Sequence, residues 1–124
     1  MDATTEKSAF TLPLLNEGEK YAFSITLPNG KTIHTILLPG EETKNWKDAM
    51  EWAKSLGGDL PDRAEQALFF KNMSEEFLPE WYWSNTQHAS DSDCAWGQHF
   101  YDGDQNSYVK SYEVRARAVR RVTI

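Results

Sequence analysis

The chain has 124 residues and a net charge of −6, with 40% hydrophobic and 26% charged residues, which fits one globular domain with a core of its own. The negative balance argues against a general nucleic-acid binder, because contact with phosphates wants a positive field. A single cysteine, Cys94, rules out an internal disulfide and fits a cytosolic history. Aromatic residues stand out at 13%: five Trp, five Tyr and six Phe, a payload that serves cores and contact surfaces alike. The polar stretch Met1–Phe10 has no apolar signal region, and no run approaches the length of a membrane span.

In chain order, residues 1–16 read as a loosely attached tail whose Leu12, Leu14 and Leu15 can dock on the domain formed by residues 17–124. The segment Tyr21–Leu27 alternates, which predicts a strand with Tyr21, Phe23, Ile25 and Leu27 on one face. Pro28-Asn29-Gly30 predicts a hairpin turn, and the return strand runs to about Leu38 before Pro39-Gly40. Asn45 and Asp48 form an N-cap pair for a helix over about 45–56, with Trp46, Ala49, Ala53 and Leu56 as its apolar stripe. Gly57-Gly58 stops it. Asp62 and Glu65 form a capping box for a second helix carrying Ala64, Ala67, Leu68 and Met73, limited by Pro79. Trp81–Ser84 reads as a short aromatic strand, Asn85–Asp93 as a surface loop and Cys94–Tyr101 as a strand. Asp102-Gly103-Asp104 is a turn, followed by a long loop and one last strand over Val114–Val122. The basic run in that strand predicts structural ion pairs, with Arg120 and Arg121 meeting acids such as Glu65 or Asp62.

The fold class these elements predict is α+β: two helices packed on twisted antiparallel strands, with long loops. Their order, together with Trp46, Ala49, Ala53, Gly57, Gly58, Leu60, Pro61, Arg63, Glu65, Trp83, Ser84, Ala95, Phe100, Gly103, Arg115, Ala118 and Val119, resembles the Lcl C-terminal domain family over about residues 40–122. The resemblance implies a C-type-lectin-like fold. Leu37-Leu38-Pro39-Gly40-Glu41 looks like the version often encoded by phages and prophages, which implies a protein in the host cytoplasm or on the virion. The chain departs from the family at Asp62, where Thr is usual, and at Cys94, where an aromatic residue is common. A fold of this kind does not fix an activity.

Enzyme readings find little to stand on. A cysteine-pair oxidase of related fold needs a second thiol. Cys94 as a lone nucleophile needs a base, and His99 lies on the opposite face of the same strand, with His88 as the other candidate. Asp91, Asp93, Asp102 and Asp104 form two acidic pairs, but the Glu-Pro-Asn, Gln-Pro-Asp and Trp-Asn-Asp motifs of calcium-binding C-type lectins are absent. His34, His88 and His99 have no metal-ligand spacing. No metal and no cofactor is expected. The positive feature is the Tyr-, Asn- and Asp-rich stretch 91–112, a composition of adaptable binding loops. Strand alternation sends Tyr82 away from Trp81 and Trp83, so the candidate binding residues are Tyr82, Tyr101, Asp102, Asp104, Asn106, Tyr108 and Tyr112.

The expected function is a non-enzymatic binding module for a protein or a surface glycan, without direct nucleic-acid or membrane contact, as monomer or homodimer. The alternative is an intracellular phage effector, an anti-CRISPR-like inhibitor of a host defence complex, using an acidic face of Glu41, Glu42, Glu51, Glu75, Glu76 and Glu80.

Overall fold

The structure, a computed structural model, describes residues 12–124. It is α+β, with two helices and two sheets. A three-stranded antiparallel sheet runs in the order β1 (Lys20–Thr26), β2 (Thr32–Leu37), β8 (Val119–Thr123). A five-stranded sheet runs in the order β3 (Glu42–Lys44), β7 (Val114–Ala116), β4 (Trp81–Gln87), β5 (Cys94–His99), β6 (Gln105–Val109). Its β4–β7 pair is parallel and the rest antiparallel. Among the described residues no helix is long and apolar enough to cross a membrane.

The helices α1 (Trp46–Ser55) and α2 (Arg63–Met73) begin where their caps lie. Asn45 accepts the Asp48 backbone N–H at 2.9 Å. Asp62 and Glu65 exchange side-chain and backbone bonds in a full capping box, which satisfies donors that a helix start otherwise leaves open. The join between the helices is equally determined. Gly57 and Gly58 donate back to Lys54 and Ala53 in the paired pattern that closes a helix on a left-handed residue, and Gly57 has φ +80°. Gly58 then passes so close to β8 that a Cβ would clash with the Val119 carbonyl.

The five-stranded sheet is covered on both faces. On one, α1 lays Ala49 and Ala53 against Trp83, Ala95 and Ala116. The indole of Trp83 donates to the Lys44 carbonyl at 2.9 Å, and that of Trp46 to the Ser84 carbonyl at 2.8 Å. On the other, Phe69 of α2 joins Phe77, Tyr82 and Phe100, with Phe77 and Phe100 stacked at 4.0 Å. Alternation along β4 sends Trp83 to the first cluster and Tyr82 to the second.

Several expectations change. A bulge between Tyr21 and Phe23 breaks the single apolar face of β1. Tyr21 meets His34 on one side, its hydroxyl 2.7 Å from Nδ1, while Phe23 packs on Phe69 on the other. Ile25 is left exposed, and so are Leu56 and the tail residues Leu12, Leu14 and Leu15. The α2 face turned inward is Glu65, Gln66 and Phe69 rather than Ala64 and Ala67, because Gln66 donates to the Trp83 carbonyl at 2.8 Å. Residues 105–109 form an edge strand, not a loop, and β3 precedes α1. The expected single last strand is two: β7 belongs to one sheet and β8 to the other.

The expected ion pairs form. Arg121 grips Glu65 with two bonds of 2.8 and 2.6 Å and reaches Asp59 at 2.9 Å, while Asp62 keeps to its cap. Arg120 pairs with Glu19. Glu65 also accepts from Thr35, so one carboxylate holds a cap, a strand hydroxyl and a guanidinium. Replacing Glu65 with Ala removes the cap acceptor and the partner of Thr35 and Arg121 while Arg121 keeps Asp59, and urea unfolding will show a loss of about 2 kcal/mol.

Candidate functional site

The pairing of Trp81 with His99 and of Ala95 with Tyr108 puts Trp81, His99 and Tyr108 on one face of the five-stranded sheet, where Tyr108 packs against the α1 cluster. The Trp81 and His99 rings meet edge to face at 4.8 Å, and Trp81 and Tyr108 at 4.9 Å. The indole lies by the bare backbone of Gly97: a Cβ there would meet the Trp81 ring in ordinary contact at 3.6 Å and crowd only the Tyr82 carbonyl, at 3.2 Å. Each end of this ladder continues into a tyrosine at 6.3 Å: Tyr101 beside His99, and Tyr112 beside Tyr108. Tyr101 is 76% exposed and Tyr112 55%.

Beside Trp81 lies a cleft of about 290 Å³ lined by Thr43, Glu80, Trp81, Glu113, Val114 and Arg115. The β3–β7 register sets Thr43 across from Arg115. The Arg115 guanidinium is anchored by Glu41 at 2.8 Å, and the other Glu41 oxygen accepts the Tyr82 hydroxyl at 2.5 Å. Glu80 and Glu113 are exposed and make no ion pair among the described residues. The cleft therefore has one aromatic wall, free carboxylates, a hydroxyl and a fixed cation.

Tyr82, expected among the binding residues, is in the core at 1% exposure. Burial, and then the Glu41 carboxylate, push its hydroxyl far above the ordinary tyrosine range. It holds the cleft from behind, since Glu41 links it to Arg115. Tyr101, Tyr108 and Tyr112 do come together, but through Trp81 and His99. Asp102 and Asp104 form the turn at the Tyr101 end of the ladder, where Asp102 accepts the Asp104 N–H at 3.1 Å. Asn106 stands exposed on β6, across from Gly97. Trp81, His99 and Glu113 are the additions, and Glu80, expected on an acidic face, lines the cleft beside Trp81. The signal that marks Trp81 is its strand partner: opposite His99 and next to a glycine, it can spread over the sheet.

The acidic face expected of an inhibitor is partly engaged within the chain. Glu41 is held as above, and Glu76 binds Lys20 at 2.8 Å. The aspartate pairs organise their own turns, Asp91 accepting the Asp93 N–H at 3.0 Å, and among the described residues no cluster of three or more His, Cys, Asp or Glu could hold a metal ion.

A second cleft, about 490 Å³, is lined by Asp91, Asp93, Cys94, Val109, Lys110 and Ser111. Its thiol donates to Asp91 Oδ2 at 3.4 Å and has no imidazole partner. His88 Nδ1 instead accepts backbone N–H groups of Ser90 and Asp91, and His99 Nδ1 that of Tyr101. Desolvation, and then the Asp91 carboxylate, push the thiol up, the opposite of what activates a nucleophile.

Two outcomes test these placements. Tyr82→Phe removes the hydroxyl from Glu41 and from the Leu78 N–H, and thermal or urea unfolding will show a loss of about 1 kcal/mol. Because only the thiolate alkylates, and a raised pKa delays its formation, the iodoacetamide rate of Cys94 will reach half-maximum at a higher pH than that of a free cysteine peptide.

No family model and no curated protein matches this chain. Among solved structures, SPL-1 in complex with GlcNAc is similar in fold, with a TM-score of 0.50 at 11% identity, covering 71% of this chain and 87% of that one. The likeness is one of fold.

Proposed function

We propose that this chain is a non-catalytic, C-type-lectin-like binding module whose Trp81 cleft takes one ring of a glycan. The observation that carries the reading is the Trp81 indole spread over Gly97 next to a polar-walled cleft. A sugar ring has an apolar C–H face and a rim of hydroxyls. An indole accommodates the face, and Thr43, Glu80 and Glu113 offer groups that hydrogen-bond the rim. Ligand clefts run from about 300 Å³ upward, so a space of about 290 Å³ suits a single ring.

Two further observations support the reading. The fold is similar to that of SPL-1, whose structure contains GlcNAc. The chain also resembles the Lcl C-terminal domain family, and a phage or prophage source, with the protein in the host cytoplasm or on the virion, enters the proposal through that resemblance alone. The protected thiol weighs against catalysis by Cys94. A defence-inhibitor role draws on an acidic face of which Glu41 and Glu76 are already engaged.

Trp81→Ala tests the site. Binding is read on a glycan array and by calorimetry with the best sugar found, and folding by circular dichroism. Loss of one aromatic anchor will weaken binding about thirtyfold. A folded Trp81→Ala protein that binds as the parent does would remove the cleft from consideration.

A further inference from the structure

The cleft at Trp81, about 290 Å³, has room for a single ring, yet the aromatic ladder extends past it on both sides. Tyr112 lies at one end, next to Tyr108, and Tyr101 at the other, next to His99. Both end rings are largely exposed, while the rings between them are partly buried. The backbone that carries each ring is itself anchored. The Tyr101 N–H donates to His99 Nδ1 at 3.0 Å, and the Tyr112 N–H donates to the Val109 carbonyl at 3.0 Å.

An exposed ring at each end of a half-buried row is poor core design, since neither end ring gains much from burial. It suits a ligand longer than the cleft. The polar groups follow the same line: Asn106 is exposed on β6 beside the row, and Asp102 and Asp104 flank the Tyr101 end. Asn106 Oδ1 accepts the Ser107 N–H and Asp102 Oδ1 the Asp104 N–H, which leaves the Asn106 amide donors and the other carboxylate oxygens to meet sugar hydroxyls.

We infer that the site reads an extended oligosaccharide rather than a terminal sugar, with the central ring at Trp81 and neighbouring rings on Tyr101 and Tyr112. This deepens the glycan reading above and rests on it. Affinity then grows with chain length, because each end ring adds contact only when a neighbouring sugar reaches it. One well-placed ring is worth about tenfold.

The test uses the full chain on an array presenting mono-, di-, tri- and tetrasaccharides of N-acetylglucosamine, glucose, mannose and galactose. Apparent affinities are compared between the parent, Tyr101→Ala, Tyr112→Ala and the double variant. The expected result is a tetramer-to-monomer affinity ratio of about a hundred in the parent. It falls by about tenfold in each single variant and toward one in the double variant. Trp81→Ala, by contrast, weakens every length. Equal affinity for monomer and tetramer overturns the extended site and leaves the glycan reading standing. A length dependence untouched by both tyrosine substitutions also overturns it. Binding to no sugar at any length overturns both.

Discussion

The Glu65 carboxylate is the point at which the separate parts of this protein meet. It closes the capping box that starts α2, accepts the Thr35 hydroxyl from β2, and takes two bonds from Arg121 on β8. Arg121 carries the connection to Asp59, and Asp59 carries it to Asn85 in the irregular part of β4. One nearly buried acid thereby joins a helix, the three-stranded sheet, the crossing between the helices and the five-stranded sheet. Burying a charge is costly unless it is paired and hydrogen-bonded on every side, and here each partner comes from a different element. The arrangement fixes geometry as much as it stabilises it.

From that junction the path to the candidate site is short. The β4 strand leaves Asn85 and runs back through Trp83 and Tyr82 to Trp81. Trp83 fills the space under α1, and Tyr82 fills the space under the phenylalanine cluster. Alternation puts Trp81 on the same face as Trp83, where its ring lies by Gly97. Behind the cleft, the Tyr82–Glu41–Arg115 chain of bonds holds the one cation in place. The site thus stands on the rigid part of the fold, and only its tyrosine ends lie in turns.

The helices were legible in the sequence because their signals are local: Asn45 with Asp48, Gly57-Gly58, and Asp62 with Glu65 all act within one turn of the chain. The strands were less so. Gln105–Val109 is too polar to look like a strand, and it is one only because β5 offers an edge. Alternation continues unbroken through Ala116-Arg117-Ala118, so nothing local shows that the chain changes sheets there. Tyr82 was misplaced for a related reason. A sheet covered on both faces lets aromatic residues face either way, and alternation alone cannot tell which face meets water. The structure brings Tyr101, Tyr108 and Tyr112 of the tyrosine-rich stretch into one row, but the residue that joins them, Trp81, depends on a partner 18 positions away, His99.

The change of sheets between Ala116 and Val119 carries a mechanical consequence. Two residues, Arg117 and Ala118, link the sheets, and both are clamped: Ala118 accepts from the Leu38 N–H, while Arg117 donates to the Leu38 and Glu76 carbonyls. A tether so short and so well held transmits any separation of one sheet directly to the other. Drawing one sheet away from the other must break these three bonds before the link can extend, so the crossing couples the two sheets.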